Sequence, residues 1–255
     1  MTAEPETGCG HHGFASVVFD CDSTLVRIEG IDELAGPRID EIRTMTDLAM
    51  EGQLPLEEVY GRRLALIDPT RAEVDAVSRA YREALVEDAA ETVGALLWLG
   101  KQLRVVSGGL RPPVEALATH VGIAPEYVAA VDIYFDGEGR YLDFERESPL
   151  ARSGGKPDVV SGWHLPRPSL LVGDGATDLE ARSAVDCFAA FMGVVHRPAV
   201  AQGADVVVRS ASLSPILALA ATPADRERLR GSRWSDLLDR ADALLAAAGE
   251  DHGVA

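Results

Sequence analysis

Two aspartates, Asp20 and Asp22, are the first residues of this chain whose type and spacing suggest chemistry. They follow residues 14–19 (FASVVF), an apolar and β-branched run that predicts a buried strand of a parallel sheet. Ligands bind at the carboxyl ends of such strands, because the following loops converge there. One carboxylate can attack an electrophile while its neighbour transfers a proton. A plain turn rich in Asp and Ser is the alternative interpretation, and the downstream sequence has to decide between the two.

Three later segments carry groups that suit phosphoryl transfer. A serine hydroxyl and a close glycine backbone can bind phosphate, a lysine supplies a cation, and grouped aspartates supply hard oxygen ligands for Mg²⁺. Taken alone, each segment is also compatible with an ordinary turn or a solvated lysine. The three segments are Ser107-Gly108-Gly109, Ser153-Gly154-Gly155-Lys156 and Gly173-Asp174-Gly175-Ala176-Thr177-Asp178.

The positions of these segments predict one shared site. Residues 103–106 and 169–172 are apolar runs that predict buried strands directly before the Ser-Gly-Gly and Gly-Asp-Gly segments. The Gly-Gly-Lys segment precedes a helix predicted to begin at Pro157. Because the carboxyl ends of parallel strands lie at the same edge of a sheet, we expect these loops to meet there.

The alternation of predicted strands and helices favours an α/β fold with a doubly wound, mostly parallel sheet. Fourth and fifth sheet strands are predicted at residues 187–191 and 204–208. A small β-hairpin is predicted from strands at residues 131–135 and 140–144, which flank an Asp-Gly-Glu-Gly turn.

A helical insertion is predicted between the first and second strands, where it would lie over the carboxyl end of the first. Its third helix is predicted to take Asp68 as the N-cap and Pro69 as the first helical residue. The amphipathic pattern after Pro223 is more typical of packing helices than of a partner surface. We therefore divide the chain into a core of residues 14–28 and 90–222, a helical cap of residues 29–89 and a C-terminal helical extension of residues 223–255.

Composition restricts the classes of partner. The chain has 255 residues, with 41 acidic against 24 basic side chains and a formal charge of −17. This charge argues against nucleic acid or an anionic membrane as the main partner, while an anionic substrate would need cations in its own pocket. The N-terminus has no secretory pattern and no apolar run is long enough to span a bilayer, so we expect a cytoplasmic protein.

The three cysteines, Cys9, Cys21 and Cys187, do not suggest a disulfide framework. Cys9, His11 and His12 can be interpreted as a short metal-binding tract. They lie in a glycine-rich leader without a second cluster of ligands, which favours a leader without metal.

The ordered motifs FDCDSTL, VVSGG, SGGK and GDGATD resemble those of the haloacid dehalogenase superfamily of aspartate-nucleophile phosphatases. Within it, IEGIDELA, AMEG and RRLALIDP resemble the phosphoserine phosphatase family, and the similarity runs over residues 14–191. The resemblance implies a Rossmann-like core with a helical cap. It also implies Mg²⁺-dependent hydrolysis of O-phospho-L-serine to L-serine and phosphate, the last step of serine biosynthesis. We expect a monomer or a homodimer.

The resemblance also implies a role for each matched residue. Asp20 would be the nucleophile that forms an aspartyl-phosphate, and Asp22 the general acid and base, with Thr24 stabilising their turn. In the cap, Glu29 would face the substrate amino group and Arg63 its carboxylate. The remaining implied sets are Asp20, Asp174 and the backbone carbonyl of Asp22 for Mg²⁺, with Asp178 in support; Ser107, Gly108 and Lys156 for phosphate; and Met50 and Thr177 for the substrate.

One departure from the family pattern concerns substrate choice. The family usually has an aromatic residue on the second cap helix where this chain has Leu56, so closure over the substrate is expected to be looser. The alternatives are the same chemistry on another small phosphomonoester, phosphotransfer to an alcohol acceptor, and a phosphoserine-binding module without turnover. Glu29, Met50 and Arg63 are each also compatible with ordinary cap residues.

Overall fold

A computed structural model describes residue 9 and residues 13–250 of the chain, with side chains up to residue 247. Its strands are β1 (Ser16–Phe19), β2 (Gln102–Leu110), β3 (Val128–Val131), β4 (Ile133–Phe135), β5 (Tyr141–Phe144), β6 (Ser169–Gly173), β7 (Cys187–Phe191) and β8 (Val206–Val208). Six of them form one sheet in the order β3-β2-β1-β6-β7-β8, and every neighbouring pair is parallel. The strand order reverses direction between β1 and β6, which is the doubly wound arrangement, so the predicted fold class is confirmed. β4 and β5 form the predicted antiparallel hairpin.

The helices flank this sheet or belong to the segment between β1 and β2. In the described part of the chain they are α1 (Gly30–Glu33), α2 (Ile39–Met50), α3 (Leu56–Ile67), α4 (Arg71–Glu83), α5 (Ala89–Trp98), α6 (Arg111–Val121), α7 (Gly155–Gly162), α8 (Ala176–Glu180), α9 (Pro198–Gly203), α10 (Pro215–Ala220), α11 (Pro223–Arg230) and α12 (Ser235–Glu250). No helix of the described residues has the length and apolar character to cross a membrane.

The central strand is buried on both faces, as its uninterrupted apolar sequence predicts. Val17 and Phe19 pack into a cluster that includes α5, α6 and the C-terminal helices, while Val18 packs into a second cluster with α2 and α3. Leu238 and Ala241 of α12 are fully buried in the first cluster, so the C-terminal helices pack on the core. The exact domain boundaries stay a prediction.

The segment between β1 and β2 leaves and rejoins the core at one place. Val26 and Leu85 form an antiparallel bridge. The Arg27 N–H donates to the Ala84 carbonyl at 2.8 Å, and the Val86 N–H donates to the Leu25 carbonyl at 3.0 Å. These bonds fix the end of α4 beside the turn that follows Asp20 and Asp22.

The predicted start of α4 is wrong. Asp68 is the C-cap of α3 in a left-handed conformation, with φ of 52°, which Asp tolerates better than most residues. Thr70 is the N-cap, because its hydroxyl accepts from the Glu73 N–H while the Glu73 carboxylate accepts from the Thr70 N–H. The Thr-x-x-Glu pattern was the stronger signal for a helix start.

Three other boundaries differ from the prediction. β2 does not end before Ser107 but continues to Leu110, with irregular pairing to β3 because the two glycines leave room for a change of register. β3, the edge strand, was not predicted, and the hairpin strand predicted at residues 131–135 overlaps it only at Val131. Lys156 lies in the first turn of α7, which begins at Gly155 and not at Pro157.

The cysteines also differ from expectation. Cys9 and Cys187 form a disulfide, with Cα atoms 5.4 Å apart, because the chain before β1 returns to the start of β7. Cys21 is free and buried. The Asp205 carboxylate lies near the two paired sulfurs. His11 and His12 lie outside the described residues, so the expectation of a leader without metal stays a prediction.

Gly155 provides a test of how the fold positions Lys156. A Cβ on Gly155 would lie 1.5 Å from the carbonyl oxygen of Pro149, whereas a Cβ on Gly162, in the same helix, would meet nothing within 4 Å. We expect Gly155→Ala to lower the free energy of unfolding by roughly 1–3 kcal/mol, the usual cost of overpacking. Gly162→Ala should change it by less than about 1 kcal/mol. Urea denaturation of both variants measures the difference, and equal stabilities would contradict this packing.

Candidate active site

The switch point of the sheet places the two acidic loops side by side. β1 and β6 are neighbours in parallel register, with Phe19 opposite Val172, so both strands end at the same level. The Asp20 N–H donates to the Val172 carbonyl at 2.9 Å, which fixes the first residue of one loop against the end of the other strand. Asp174 follows β6 directly. Both carboxyl groups are buried, at 7% and 2% exposed.

A single pocket lies above these strand ends and below the cap. Ten of the eleven site residues predicted from the sequence line it, together with Leu56, Ile31, Leu150 and Arg152. Asp178 does not line the pocket but lies fully buried behind it. The ten lining residues are Asp20, Asp22, Glu29, Met50, Arg63, Ser107, Gly108, Lys156, Asp174 and Thr177.

Lys156 connects the nucleophile candidate to the acid behind the pocket. Its Nζ lies 3.0 Å from Asp20 Oδ1 and 2.7 Å from Asp178 Oδ1. Burial opposes the charge on Lys156, but the carboxylates of Asp178 and Asp20 outweigh it and raise its pKa above the ordinary lysine value. The alternative interpretation of Lys156 as a solvated surface lysine is therefore excluded, since it is 4% exposed. Lys156 is a charged group held at the floor of the pocket.

Asp178 is held by its own loop. Its Oδ2 accepts from the Gly175 N–H at 3.0 Å, while Oδ1 accepts from Lys156. A Cβ on Gly173 would lie 2.2 Å from Asp178 Cγ, so only glycine permits this approach. The loop sequence Gly-Asp-Gly thus folds one aspartate into the pocket and the later one beneath it.

Three carboxylates are close enough to share a cation. Oxygen atoms of Asp20, Asp174 and Asp178 all lie within 4.8 Å of one another. Burial raises the pKa of Asp20 well above its ordinary value, with Asp178 adding to the shift, and burial together with Glu29 raises the pKa of Asp174 to about 7. Hard oxygen donors in this arrangement fit a divalent metal ion, whose charge would relieve the repulsion among them.

Asp22 lies at the pocket wall with its two oxygens in different surroundings. The Tyr81 hydroxyl donates to Oδ1, and the Gly30 N–H also donates to this carboxylate. Oδ2 lies toward Ser107 and Gly109, since a Cβ on Gly109 would be 3.1 Å from both Asp22 Oδ2 and Ser107 Oγ. Burial raises the pKa of Asp22 to about 6, although the hydrogen bond from Tyr81 opposes the shift.

The Ser107 and Gly108 side of the pocket belongs to the extended end of β2. Ser107 is 1% exposed, and its Oγ accepts from the Gly109 N–H at 2.9 Å. This bond orients the serine hydroxyl at the pocket, where its proton remains available for a ligand oxygen. Gly108 lies in the lining beside it.

The cap end of the pocket carries one acidic side chain, Glu29, and one basic side chain, Arg63. Glu29 Oε1 accepts from the Ser23 hydroxyl at 2.7 Å, and burial together with Asp22 raises the pKa of Glu29 to about 8. Arg63 is 4% exposed, and burial lowers its pKa. Its Nη1 donates to Thr46 Oγ1 at 2.8 Å, and its Nε has no hydrogen-bond partner among the described residues. A buried donor without a partner is costly, so this guanidinium is suited to an anionic ligand.

Several residues around the pocket were not predicted from the sequence. Tyr81 holds Asp22, and Arg197 Nε donates to Asp174 Oδ2 at 3.1 Å. Tyr81 lies near the end of α4 and Arg197 directly before α9, and neither position carries a motif that points to the site. Arg152, directly before the Ser-Gly-Gly-Lys motif, was the one residue that its sequence position could have suggested. Thr24 was expected to stabilise the turn that contains Asp20 and Asp22. Its hydroxyl donates to Asp174 Oδ1 of the neighbouring loop, at 3.4 Å.

Comparison with known proteins agrees with this geometry. The family model for haloacid dehalogenase-like hydrolases matches residues 17–183. The phosphoserine phosphatase of Bos taurus is 37% identical over 74% of this chain and 87% of its own length. The chloroplastic phosphoserine phosphatase of Arabidopsis thaliana is 36% identical over 76% of this chain and 68% of its own.

Solved structures show the same fold. A substrate-bound phosphoserine phosphatase complex has a TM-score of 0.71 at 27% identity, covering 80% of this chain and 96% of the other. A structure described as a phospho-aspartyl intermediate analogue of phosphoserine phosphatase has a TM-score of 0.70 at 27% identity, covering 80% and 97%. The resemblance inferred from the motifs is confirmed: the chain belongs to the haloacid dehalogenase-like hydrolase family, in its phosphoserine phosphatase branch.

Proposed function

We propose that this chain is a Mg²⁺-dependent phosphatase that hydrolyses O-phospho-L-serine to L-serine and phosphate. The observation that carries the proposal is one pocket with two chemically different ends. One end has buried aspartates, Ser107 and Lys156, and the other has Glu29 and Arg63. The relatives named phosphoserine phosphatase support the same substrate.

In the first step, an Asp20 oxygen attacks the phosphorus atom and the bond from phosphorus to the serine oxygen breaks. Asp22 gives its proton to that oxygen, so that L-serine leaves as an alcohol. A pKa of about 6 keeps part of Asp22 protonated near neutral pH, as a general acid requires. Lys156 and the Ser107 hydroxyl stabilise the negative charge on the phosphoryl oxygens.

In the second step, Asp22 takes a proton from water, the water oxygen attacks phosphorus, and the bond to Asp20 breaks. Phosphate leaves and Asp22 is protonated again. Asp20, Asp174 and the backbone carbonyl of Asp22 would hold Mg²⁺, with Asp178 supporting through Lys156. When bound, Mg²⁺ would neutralise carboxylate and phosphate charge.

The cap end would select the amino acid. Glu29 would bind the substrate ammonium group. Arg63 would donate to the carboxylate from its Nε, which has no hydrogen-bond partner among the described residues. Met50 and Thr177 complete the wall between the two ends. A zwitterion needs one charge of each sign: Arg63 provides the positive one, and Glu29, with its raised pKa, would provide the negative one as it ionises beside the bound ammonium group.

Leu56 favours a second candidate function, which is the same chemistry on another small phosphomonoester. It is buried and lines the pocket where an aromatic residue was expected, so the wall is less bulky there. Phosphotransfer to an alcohol acceptor uses the same groups and differs only in the molecule that attacks the aspartyl-phosphate.

The first prediction from the proposed function concerns the class of reaction. With Mg²⁺, phosphate release should be fastest from L-phosphoserine in a panel with phosphothreonine, phosphoethanolamine and sugar phosphates, and excess EDTA should abolish it. Asp20→Asn should abolish it as well, since the nucleophile is lost. Preference for another ester would refute the substrate but keep the phosphatase. Activity that survives both EDTA and Asp20→Asn would refute the class, and formation of the phosphate ester of an added alcohol would indicate phosphotransfer.

The second prediction concerns Asp22. Asp22→Asn should lower kcat for L-phosphoserine by roughly 10²- to 10⁴-fold, because an amide cannot transfer the proton. Asp75→Asn, an exposed position on α4, is the matched control and should keep the wild-type rate. Steady-state kinetics with equal enzyme concentrations measure both. A wild-type kcat in Asp22→Asn would remove the general-acid role.

The third prediction concerns the cap. Arg63→Lys should raise KM for L-phosphoserine by about tenfold or more, since one ammonium replaces a guanidinium with several aligned donors. KM for phosphoethanolamine, which has no carboxylate, should change much less. Arg62→Lys, at a neighbouring exposed arginine, is the control. Equal losses on both substrates would show that Arg63 supports the cap and does not read the carboxylate.

A further inference from the structure

Tyr81 is the buried phenol of α4, and its hydroxyl is bonded to the carboxylate that transfers the proton. The side chain is completely buried, and its hydroxyl donates to Asp22 Oδ1. Its ring packs in the core cluster with Leu25 and Val26, which follow the Asp22 turn. A tyrosine in an apolar cluster needs a partner for its hydroxyl, and here that partner is Asp22.

The surroundings hold this hydroxyl in place from both sides. The end of α4 is fixed by the Val26 to Leu85 bridge and its two flanking hydrogen bonds. On the other side, Gly30 leaves room for the hydroxyl, because a Cβ there would lie 2.1 Å from Tyr81 Oη. The glycine and the tyrosine are 51 residues apart in the sequence. A larger residue at position 30 would displace the Tyr81 hydroxyl from its place beside Asp22.

The two oxygens of Asp22 are therefore not equivalent. Oδ1 accepts from the Tyr81 hydroxyl, so Oδ2 is the oxygen left free to carry the proton of the acid. Oδ2 lies toward Ser107 and Gly109, where the phosphoryl group would bind. A proton on Oδ2 is the one that can reach the leaving oxygen.

We propose that Tyr81 is a positioning residue for Asp22, and that it holds the carboxyl group so that the transferable proton lies on Oδ2, facing the substrate. The proposal rests on the proposed function. In the first step the proton moves from Asp22 Oδ2 to the serine oxygen as the bond from that oxygen to phosphorus breaks and the bond from Asp20 forms. Tyr81 keeps its own proton throughout.

Leaving-group dependence separates this role from a merely structural one. The value of kcat/KM reports steps up to departure of the first product, and p-nitrophenolate leaves without a proton, whereas serine does not. Tyr81→Phe should lower kcat/KM for L-phosphoserine by about tenfold, mostly through kcat, and leave that for p-nitrophenyl phosphate within about twofold. The ring is retained, so the core packing is preserved.

Two further variants complete the experiment. Gly30→Ala displaces the same hydroxyl from the opposite side and should cause the same selective loss. Tyr127→Phe is the control, because it removes the same hydroxyl from a tyrosine that is exposed and does not line the pocket. It should keep wild-type kcat/KM on both substrates. Thermal unfolding of each variant checks that it is folded at the assay temperature.

A double variant distinguishes failure of this inference from failure of the proposed function. In an Asp22→Asn background, Tyr81→Phe should have no further effect, since the group it positions is gone. If Asp22→Asn lowers turnover but Tyr81→Phe does not, or if Tyr81→Phe acts equally on both esters, the positioning role is wrong and the function stands. If Asp22→Asn itself has no effect, the proposed mechanism fails first.

Discussion

The ion pairs of Lys156 hold together the acidic groups at the strand ends, together with the pair of Arg197 and Asp174. Its Nζ contacts Asp20 and Asp178 at the point where the two acidic loops meet. Buried carboxylates repel strongly in a medium of low dielectric, so this ammonium is a condition for their coming together. Its position depends in turn on the close packing of Gly155 on the Pro149 carbonyl. The backbone contact of Gly155 thus fixes the position of the positive charge that pairs with Asp20 and Asp178.

The pocket divides its work between two parts of the chain. In the proposed function, the strand ends supply the groups for phosphoryl chemistry, and the segment between β1 and β2 supplies Glu29 and Arg63 for the amino acid. Burial and Asp22 raise the pKa of Glu29 to about 8, and a bound ammonium group would lower it. Binding of a cation and ionisation of Glu29 therefore favour each other, which couples recognition at one end to charge in the whole pocket.

Local patterns predicted the ends of β1 and β6, the acidic loops and most helices, because each of these is determined by neighbouring residues. The contacts of Asp22 with Tyr81 and of Asp174 with Arg197 were not predictable, since they join residues 59 and 23 positions apart without any motif. The disulfide between Cys9 and Cys187 was missed for the same reason. The start of α4 was misplaced because Asp68 suits both a helix start and a left-handed helix end.

The paired backbone of Val26 and Leu85 has a consequence for how such a protein can change. The chain leaves the core after Val26 and returns at Leu85, and these two residues pair with each other. Residues 27–84 therefore form one inserted segment. Its length and content can vary without moving β1 or β2. On the proposed function, substrate choice can therefore be exchanged with this segment, except where it contacts the core: Val77 and Tyr81 lie in the core cluster, and Gly30 and Tyr81 bond to Asp22 and must vary together with it.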